Sequence, residues 1–429
     1  MGMGVLVIEV LRSGREVSIL RTSNAVHRDG PQAGCYPRAM SHPPLVPPGP
    51  ELTVQERTRY ARHLLLPDLG SDGQRRLRAA RVLVVGAGGL GSPALLYLAA
   101  AGVSTIGIVD DDVVDLTNLQ RQVVHGVDDV GRAKTESAAE SVRAISPTTV
   151  VIEHTSRLDE STALAVVADY DLVLDGADNF PTRYLVGDAC ARLGIPHVWG
   201  SVFRFDGQVS VWWAGEGPCY ACVFPAQPPP DAVPSCAVGG VLGAVCASVG
   251  SVMATEAVKL ITGMGEPLVG RLLVHDALGQ TWDALPVAAD PGCRVCGSGA
   301  DVTRPLGWAT GIRPDDADAG ASHPERPSIS VVRLRDELDA GAVVVDVREA
   351  GEREIVALAQ AVWVPIGDLR AGAGVSGVDA GDRVYVHCKS GGRSAEAVDL
   401  LRARGVDAVN VEGGILAWVR EVDPHLPTY

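Results

Sequence analysis

Three sets of residues in this 429-residue chain have types and spacings that chemistry can use. Cys219 and Cys222 form one CxxC, and Cys293 and Cys296 form a second. Two such pairs can close a tetrahedral thiolate site around zinc with no open coordination position, which makes such a site structural. Redox exchange is the alternative use of a CxxC, and two copies in one domain without a thioredoxin-like setting favour metal over it. The second set is GAGGLG, which follows the apolar run VLVV and puts Gly86, Gly88 and Gly91 between a strand and a helix. Backbone N–H groups and a helix N-terminus can hold phosphate oxygens there. Asp110 ends the next strand at a distance suited to a ribose hydroxyl. A GxGxxG by itself serves an NAD dehydrogenase as well as other nucleotide enzymes. Arg121 and Lys134 add the positive charge that a triphosphate requires, more than a dinucleotide does, and Asp178 is placed to hold magnesium on the phosphates.

The third set surrounds Cys388, which stands between the strand VYVH and the helix SAEA, with Lys389, Gly391, Gly392 and Arg393 shaping the loop. Successive N–H groups, the helix N-terminus and the charge of Arg393 favour a thiolate or persulfide on that sulfur. A cysteine-phosphatase loop uses the same physics. Cys236, in PPPDAVPSCAVGGVLG, follows a proline-rich lead into a glycine pair, the composition of an exposed loop and a setting for a working thiol. Cys190 and Cys246 sit in apolar helical contexts and read as core.

The elements that must position these groups follow from the patterning around them. Between Arg81 and about Pro286, apolar runs (VLVV, TIGIV, VVI, DLVL, VSVWW) alternate with helical stretches such as SPALLYLAAAG. Strands crossed over by helices predict a doubly wound α/β domain with a largely parallel sheet, over residues 51–297. Thr53, with Glu56 three residues on, is the N-cap of its first helix. Residues 1–50 finish in the proline-dense SHPPLVPPGP and predict a flexible arm. Within it, Met40 reads as a natural start, which makes residues 1–39 an extension from a start assigned too early. Residues 298–327, rich in Pro, Gly, Asp and Ala, predict a linker. Residues 328–429 then offer a helix (VVRLRDELDAG), two strands (AVVVDVRE, RVYVHC) and a helix (SAEAVDLLRARG), enough for a small second α/β domain.

Composition narrows the function further. Lys and Arg number 37 against 52 Asp and Glu, a net charge of −15, so neither nucleic acid nor an anionic membrane is an expected partner. Hydrophobic residues at 46% and charged ones at 21% exclude disorder as the main state. Nine cysteines, an odd and sparse set without a secretory signal, point to a reducing compartment, the cytoplasm. The uncharged stretch Ala232–Thr255 is long enough to tempt a transmembrane reading, but its four glycines, three serines and Thr255 favour a buried helix.

The segments RYARHLLLPDLG, GAGGLG, NLQRQ, the Asp178–Asn179 pair, CYACVFP, PSCAVGGVLG and CRVC occur in an order that resembles the ubiquitin-activating-like (ThiF-type) adenylyltransferases acting on sulfur-carrier proteins. That resemblance covers residues 51–297. It implies an ATP site in which Gly89, Asp110, Thr117, Asn118, Leu119, Gln120, Arg121, Lys134, Asp178 and Asn179 contact nucleotide or Mg2+. It also implies that Arg62 reaches in from a partner subunit, and hence a homodimer. The implied reaction is attack by the C-terminal carboxylate of a small ubiquitin-like carrier ending in Gly-Gly on the α-phosphate of ATP, giving an acyl-adenylate and pyrophosphate. Cys236 matches the catalytic cysteine of the family, which forms a thioester or takes part in cleaving an acyl disulfide. Zn2+ on the four paired cysteines lies away from the ATP in this family.

In the second domain, the six-residue loop from Cys388 to Arg393, VVVDVRE with Asp346 and Arg348, and NVEGGILAW resemble the rhodanese sulfurtransferases over residues 328–425. The phosphatases have a longer loop. Asp346 and Arg348 also read as an ion pair bracing a strand end. ALAQAVWVP departs from the Gly-Ala pair usual in that family. The whole chain thus resembles the bifunctional adenylyltransferase/sulfurtransferases of molybdopterin-synthase-type systems, with thiamine-type carriers equally compatible. The resemblance implies that a persulfide on Cys388, loaded from thiosulfate or a cysteine desulfurase, displaces AMP, and that reductive cleavage leaves a thiocarboxylate. Three other readings stand beside it. An NAD-dependent oxidoreductase is disfavoured by NLQRQ and the Asp178–Asn179 pair, and an inert binding fold by the presence of Arg62, Arg121, Lys134 and Asp178. Adenylation for protein conjugation without sulfur transfer uses the same adenylate.

Overall fold

The computed structural model describes residues 42–227, 239–301, 303–307 and 326–429. Cys236 and the start expected at Met40 lie outside the described residues. The chain divides into two compact units, Met1–Ala317 and Asp318–Tyr429.

In the first unit, helices α1 (Val54–Arg59) and α2 (Gly70–Ala79) precede strand β1 (Arg81–Val85). The Thr53 hydroxyl accepts the Glu56 N–H at 3.2 Å while the Glu56 carboxylate accepts the Thr53 N–H at 2.7 Å, the reciprocal cap that the sequence predicts. There follow α3 (Gly91–Ala101), β2 (Thr105–Val109), α4 (Lys134–Ile145), β3 (Val150–His154), β4 (Leu172–Asp175), α5 (Phe180–Leu193), β5 (His197–Phe203), β6 (Asp206–Trp212), α6 (Gly243–Thr262), β7 (Arg271–Asp276) and β8 (Thr281–Pro286). The sheet order is β3-β2-β1-β4-β5-β6-β7-β8. Its first five strands pair parallel and β6, β7 and β8 add antiparallel. Strand alternation divides the core: Val82 and Val84 face one apolar layer with Leu95, Leu98, Val249 and Met253, whereas Leu83 and Val85 face the other with Val167 and Val186. β1 has β2 on one side and β4 on the other, so consecutive crossovers leave it in opposite directions. A crevice opens at the strand C-termini at such a point.

Helix α6 is 20 residues long with a mean hydropathy of 1.5, sufficient by length and composition to cross a membrane. It packs as a core helix, burying Val245, Val249, Met253, Ala257, Leu260 and Ile261 against the sheet. Two expected boundaries shift. The Pro-rich stretch is not a loose arm over residues 42–50: Val46 enters the core, Leu45 N–H donates to the Leu260 carbonyl at 3.1 Å, and Arg75 donates to the Gly49 carbonyl at 2.7 Å. At the other end, residues 303–307 of the expected linker lie on the first unit, with Leu306 buried beside Leu185 and the Gly307 N–H donating to Asp188 at 2.9 Å. Composition foresaw neither, because each segment is held by one apolar side chain and a few backbone hydrogen bonds.

The second unit contains β9 (Ser328–Ile329), α7 (Val331–Asp339), β10 (Val343–Asp346), α8 (Ala350–Ile355), β11 (Val362–Trp363), β12 (Arg383–His387), α9 (Gly392–Arg402), β13 (Asp407–Val411) and α10 (Gly414–Glu421). Its sheet runs β11-β10-β12-β13-β9, parallel at every pairing. Val344 and Tyr385 point into one apolar cluster, Val345, Val384 and Val386 into the other. Burial on both faces is what a parallel sheet requires. The strands β10 and β12 pair Asp346 with His387 at their C-terminal ends, and Cys388 follows directly after β12.

Candidate functional site

A cleft of about 350 Å3 opens at the C-terminal ends of β1, β2 and β4. Its floor is the turn after β1. Gly86 has φ of 89°, and a Cβ on Gly91 would stand 1.9 Å from the Gly86 carbonyl oxygen, so α3 begins as close to the turn as backbone permits. The Asp110 carboxylate ties this turn to the next loop, accepting the Ala87 N–H at 2.8 Å and the Asp112 N–H at 3.0 Å. Burial pushes its carboxyl above the ordinary range.

Gly86, Gly88, Gly89, Asp110, Arg121, Lys134, Asp178 and Asn179 all line the cleft. Lys134 is buried at the start of α4; its Nζ donates to Asp112 at 2.7 Å and lies 3.9 Å from Asp110. Arg121 donates to the Thr117 carbonyl at 3.2 Å. Asn179 caps α5, its side-chain oxygen accepting the Thr182 N–H at 3.0 Å, and Asp178 is exposed beside it. Lys134, Arg121, Arg157 and Arg183, the glycine turn and exposed Asp178 thus share one cavity, which suits a polyphosphate and a divalent cation.

Gly91 supports the turn from behind. Thr117, Asn118, Leu119 and Gln120 belong to a short turn beside the cleft, where Asp115 accepts the Thr117 N–H at 2.8 Å, and they stand outside the residues that line it. Arg62 is exposed on the helix Ala61–Leu64 and is likewise outside that lining.

Asp112, Gln122, Arg183 and Cys246 also line the cleft and were not foreseen there. Cys246 is buried, as expected, yet a Cβ on Gly89 would meet its sulfur at 2.9 Å. Beneath the turn, His125 contacts the Ala87 carbonyl at 3.0 Å and the Ser137 hydroxyl at 2.8 Å, and burial lowers its pKa. Gln122 and His125 follow Arg121 within NLQRQVVHG, so their proximity to the basic residue was the available signal.

The two CxxC pairs, 74 positions apart, come together. Sγ of Cys219 lies 3.7 Å from that of Cys222 and 3.6 Å from that of Cys293, and Cys222 lies 3.4 Å from Cys296. Zn–S bonds of about 2.3 Å set tetrahedral sulfurs about 3.8 Å apart, so the four residues fit zinc. The hydrogen bond from Cys219 draws the Cys222 thiol below its ordinary range, and that same bond with burial holds Cys219 above its own.

In the second unit, the Gly391 N–H donates to Cys388 Sγ at 3.1 Å and the Ser394 hydroxyl at 3.4 Å. Arg393, whose charge interacts with Cys388, is held in place by a carboxylate. Its two terminal nitrogens donate to Glu352 at 2.6 Å each, and that carboxylate also accepts the Tyr429 hydroxyl at 2.8 Å. Asp346 and Arg348 form a fully buried pair at 2.7 Å, the brace that the sequence suggested. The departing segment supplies Trp363, whose Nε1 donates to the Arg348 carbonyl at 2.8 Å. Ser394, Glu352 and Tyr429 escaped sequence reasoning; Ser394 had the signal of directly following the loop, the others none.

Residues 60–295 match the model of the ThiF family, and residues 330–421 that of the rhodanese-like domain. The chain is 49% identical over 398 residues to the probable adenylyltransferase/sulfurtransferase MoeZ of Mycobacterium tuberculosis, covering 91% of this chain and 99% of that protein. It is 50% identical over 248 residues to the SAMP-activating enzyme E1 of Haloferax volcanii, across 58% of this chain and 92% of that enzyme. The fold of the Microcin C7 biosynthetic enzyme MccB, in complex with N-formylated MccA, superposes with a TM-score of 0.52 at 22% identity, over 57% of this chain and 76% of that one. The glycine turn, the basic cleft and the loop at Cys388 lie within the matched regions, and the chain belongs to the ThiF family and carries a rhodanese-like domain, in the arrangement of the adenylyltransferase/sulfurtransferases.

Proposed function

We propose that this protein adenylates the C-terminal glycine of a small ubiquitin-like sulfur carrier and then converts it to a thiocarboxylate. The observation that carries the reading is the single cleft in which the glycine turn, Arg121, Lys134 and Asp178 converge. Backbone N–H groups of Gly88 and Gly89 and the N-terminus of α3 receive phosphate oxygens. Lys134 exchanges its bond to Asp112 for the phosphates, Arg121 neutralises the leaving pyrophosphate, and Asp178 holds Mg2+. Attack by the carrier carboxylate on the α-phosphate gives the acyl-adenylate. Positioning and charge neutralisation supply most of that rate.

Cys388 thiolate attacks the outer sulfur of thiosulfate, releasing sulfite and leaving a persulfide; a cysteine desulfurase persulfide is the alternative donor. The terminal sulfur attacks the adenylate carbonyl and AMP departs, joining carrier and enzyme through an acyl disulfide. A thiol, from Cys236 or a small reductant, then attacks the Cys388 sulfur of that bond, freeing the thiocarboxylate and forming a new disulfide that a second thiol reduces. Carrying both activities on one chain raises the effective concentration of persulfide at the adenylate.

Cys219, Cys222, Cys293 and Cys296 hold Zn2+, whose role is to pin the two loops together. A homodimer, to which Arg62 contributes across the subunit boundary, is supported by Leu116, Val123 and Val127, each at least 60% exposed in one short segment. A reducing, cytoplasmic setting agrees with seven free cysteines among the described residues.

The test is the intact mass of a Gly-Gly-ending carrier after incubation with ATP, Mg2+ and thiosulfate. Wild type is expected to replace one carboxylate oxygen by sulfur, Cys388→Ala to retain ATP–pyrophosphate exchange without the mass shift, and Lys134→Ala to lose both. Full exchange by Lys134→Ala would refute the nucleotide site.

A further inference from the structure

The glycine turn after β1 has its backbone pinned by the protein around it. The Gly86 N–H donates to the Val109 carbonyl at 2.8 Å and the Ala87 N–H to Asp110 at 2.8 Å. The Gly88 carbonyl accepts the Ser92 N–H at 2.9 Å and the Ser92 hydroxyl at 2.7 Å. The Ala87 carbonyl is met by a side chain from elsewhere in the chain, buried His125, whose Nε2 lies 3.0 Å away. A carbonyl only accepts, so Nε2 carries the hydrogen, and in the neutral ring Nδ1 accepts the Ser137 hydroxyl at 2.8 Å. Burial lowers the pKa of His125, which keeps the ring neutral and that tautomer in place. A planar trans peptide points its C=O and the following N–H in opposite directions. Holding the Ala87 carbonyl beneath the turn therefore aims the Gly88 N–H the other way, and Ser92 does the same for the Gly89 N–H. Gly88 and Gly89 line the cleft, whereas Ala87 is fully buried.

We infer that His125 is a positioning residue of the phosphate-binding turn: by fixing the Ala87 carbonyl beneath the turn, it keeps the Gly88 N–H presented to a phosphate oxygen of the nucleotide. This rests on the reading of the cleft as a polyphosphate site. Ser92 belongs to α3, so its hold on Gly88 comes with the helix itself. The peptide joining Ala87 to Gly88 needs a separate hold, because Gly88 has no Cβ to oppose its rotation. A flipped peptide would face the phosphates with a carbonyl oxygen in place of a donor. His125 lies on the segment between Arg121 and Lys134, so one stretch of chain both supplies the cations and sets the backbone donor.

The experiment measures, in the full chain, the Kd of ATP with Mg2+ by calorimetry and the Kd of adenosine by ligand-observed NMR. Adenosine has no phosphate, so the ratio of the two affinities reports the turn, whereas a general loosening of the cleft weakens both alike. His125→Phe keeps a ring and loses the Nε2 hydrogen. It is expected to weaken ATP about 10- to 100-fold, the worth of a hydrogen bond to a charged group, and adenosine less than about twofold. His125→Gln places an amide N–H at comparable reach and should hold the ratio within about threefold of wild type. Ser137→Ala removes the hydroxyl that fixes the tautomer and should move the ratio in the same direction as His125→Phe, by about 2- to 10-fold. An unchanged ratio in His125→Phe, or equal weakening of both ligands, overturns the proposal. Should His125→Phe fail to fold, an unchanged ratio in Ser137→Ala overturns it instead. Wild type that binds ATP no more tightly than adenosine would refute the polyphosphate reading itself, and the inference with it.

Discussion

Replacing Glu352 by Gln tests whether the sulfur loop is held by a buried ion pair or by packing alone. Glu352 is 6% exposed and receives both terminal nitrogens of Arg393 at 2.6 Å. Burial acts to raise its pKa, but the hydrogen bonds from Arg393, from the Glu349 N–H and from Tyr429 outweigh it and leave the carboxyl below its usual value. Removing one member of a buried pair costs about 3–5 kcal/mol because the other charge is left uncompensated. The Arg393 side chain is 20% exposed, so water recovers part of that, and about 2–3 kcal/mol is expected. Peptides spanning 383–402 should then exchange amide hydrogens about 30- to 150-fold faster in the full chain, at 1.36 kcal/mol per decade. Adding Arg393→Met removes the stranded charge and should restore at least about 1 kcal/mol. A change below about threefold in Glu352→Gln, or a double variant weaker by the full sum of both losses, would refute the ion-pair argument.

Two further outcomes follow from the geometry. The purified chain should carry about one zinc per polypeptide, lost on Cys219→Ser or Cys293→Ser, and stripping it with a chelator should lower the melting temperature of the first unit; an unchanged melting curve in metal-free protein would exclude the site. His387 is buried, and that burial lowers its pKa from 6.5 to about 4 despite nearby Asp346. As pH falls through 6.5 the unfolded chain takes up a proton that the folded chain refuses until about 4, so stability present above that window is lost across it. From pH 7 to pH 5 the second unit should lose about 2 kcal/mol, measured by urea unfolding, and His387→Phe should flatten that slope.

Those residues also mark the division between what is readable in a linear sequence and what is not. The glycine turn, the helix cap at Thr53, the strands flanking each loop and the placement of Cys388 between strand and helix are local; they depend on dihedral freedom and on hydrogen bonds within a few positions, and spacing reports them directly. The cysteine pairs were legible as pairs, because a CxxC presents two sulfurs to one ion, and their union across 74 positions was inferred from that chemistry together with the family resemblance. The Asp346–Arg348 pair, two positions apart, was readable, but charge partnership over longer separations was not. Lys134 finds Asp112 across 22 positions, Arg393 finds Glu352 across 41 and Tyr429 finds Glu352 across 77. Sequence placed Cys246 in the core, where it is buried, but not that its sulfur lies against Gly89 in the cleft, since it shows which side chains exist but not which of them face one another. Parallel strands align their C-terminal ends, and that alignment, an outcome of burying both faces of each sheet, decides which charges meet and which groups remain free for substrate.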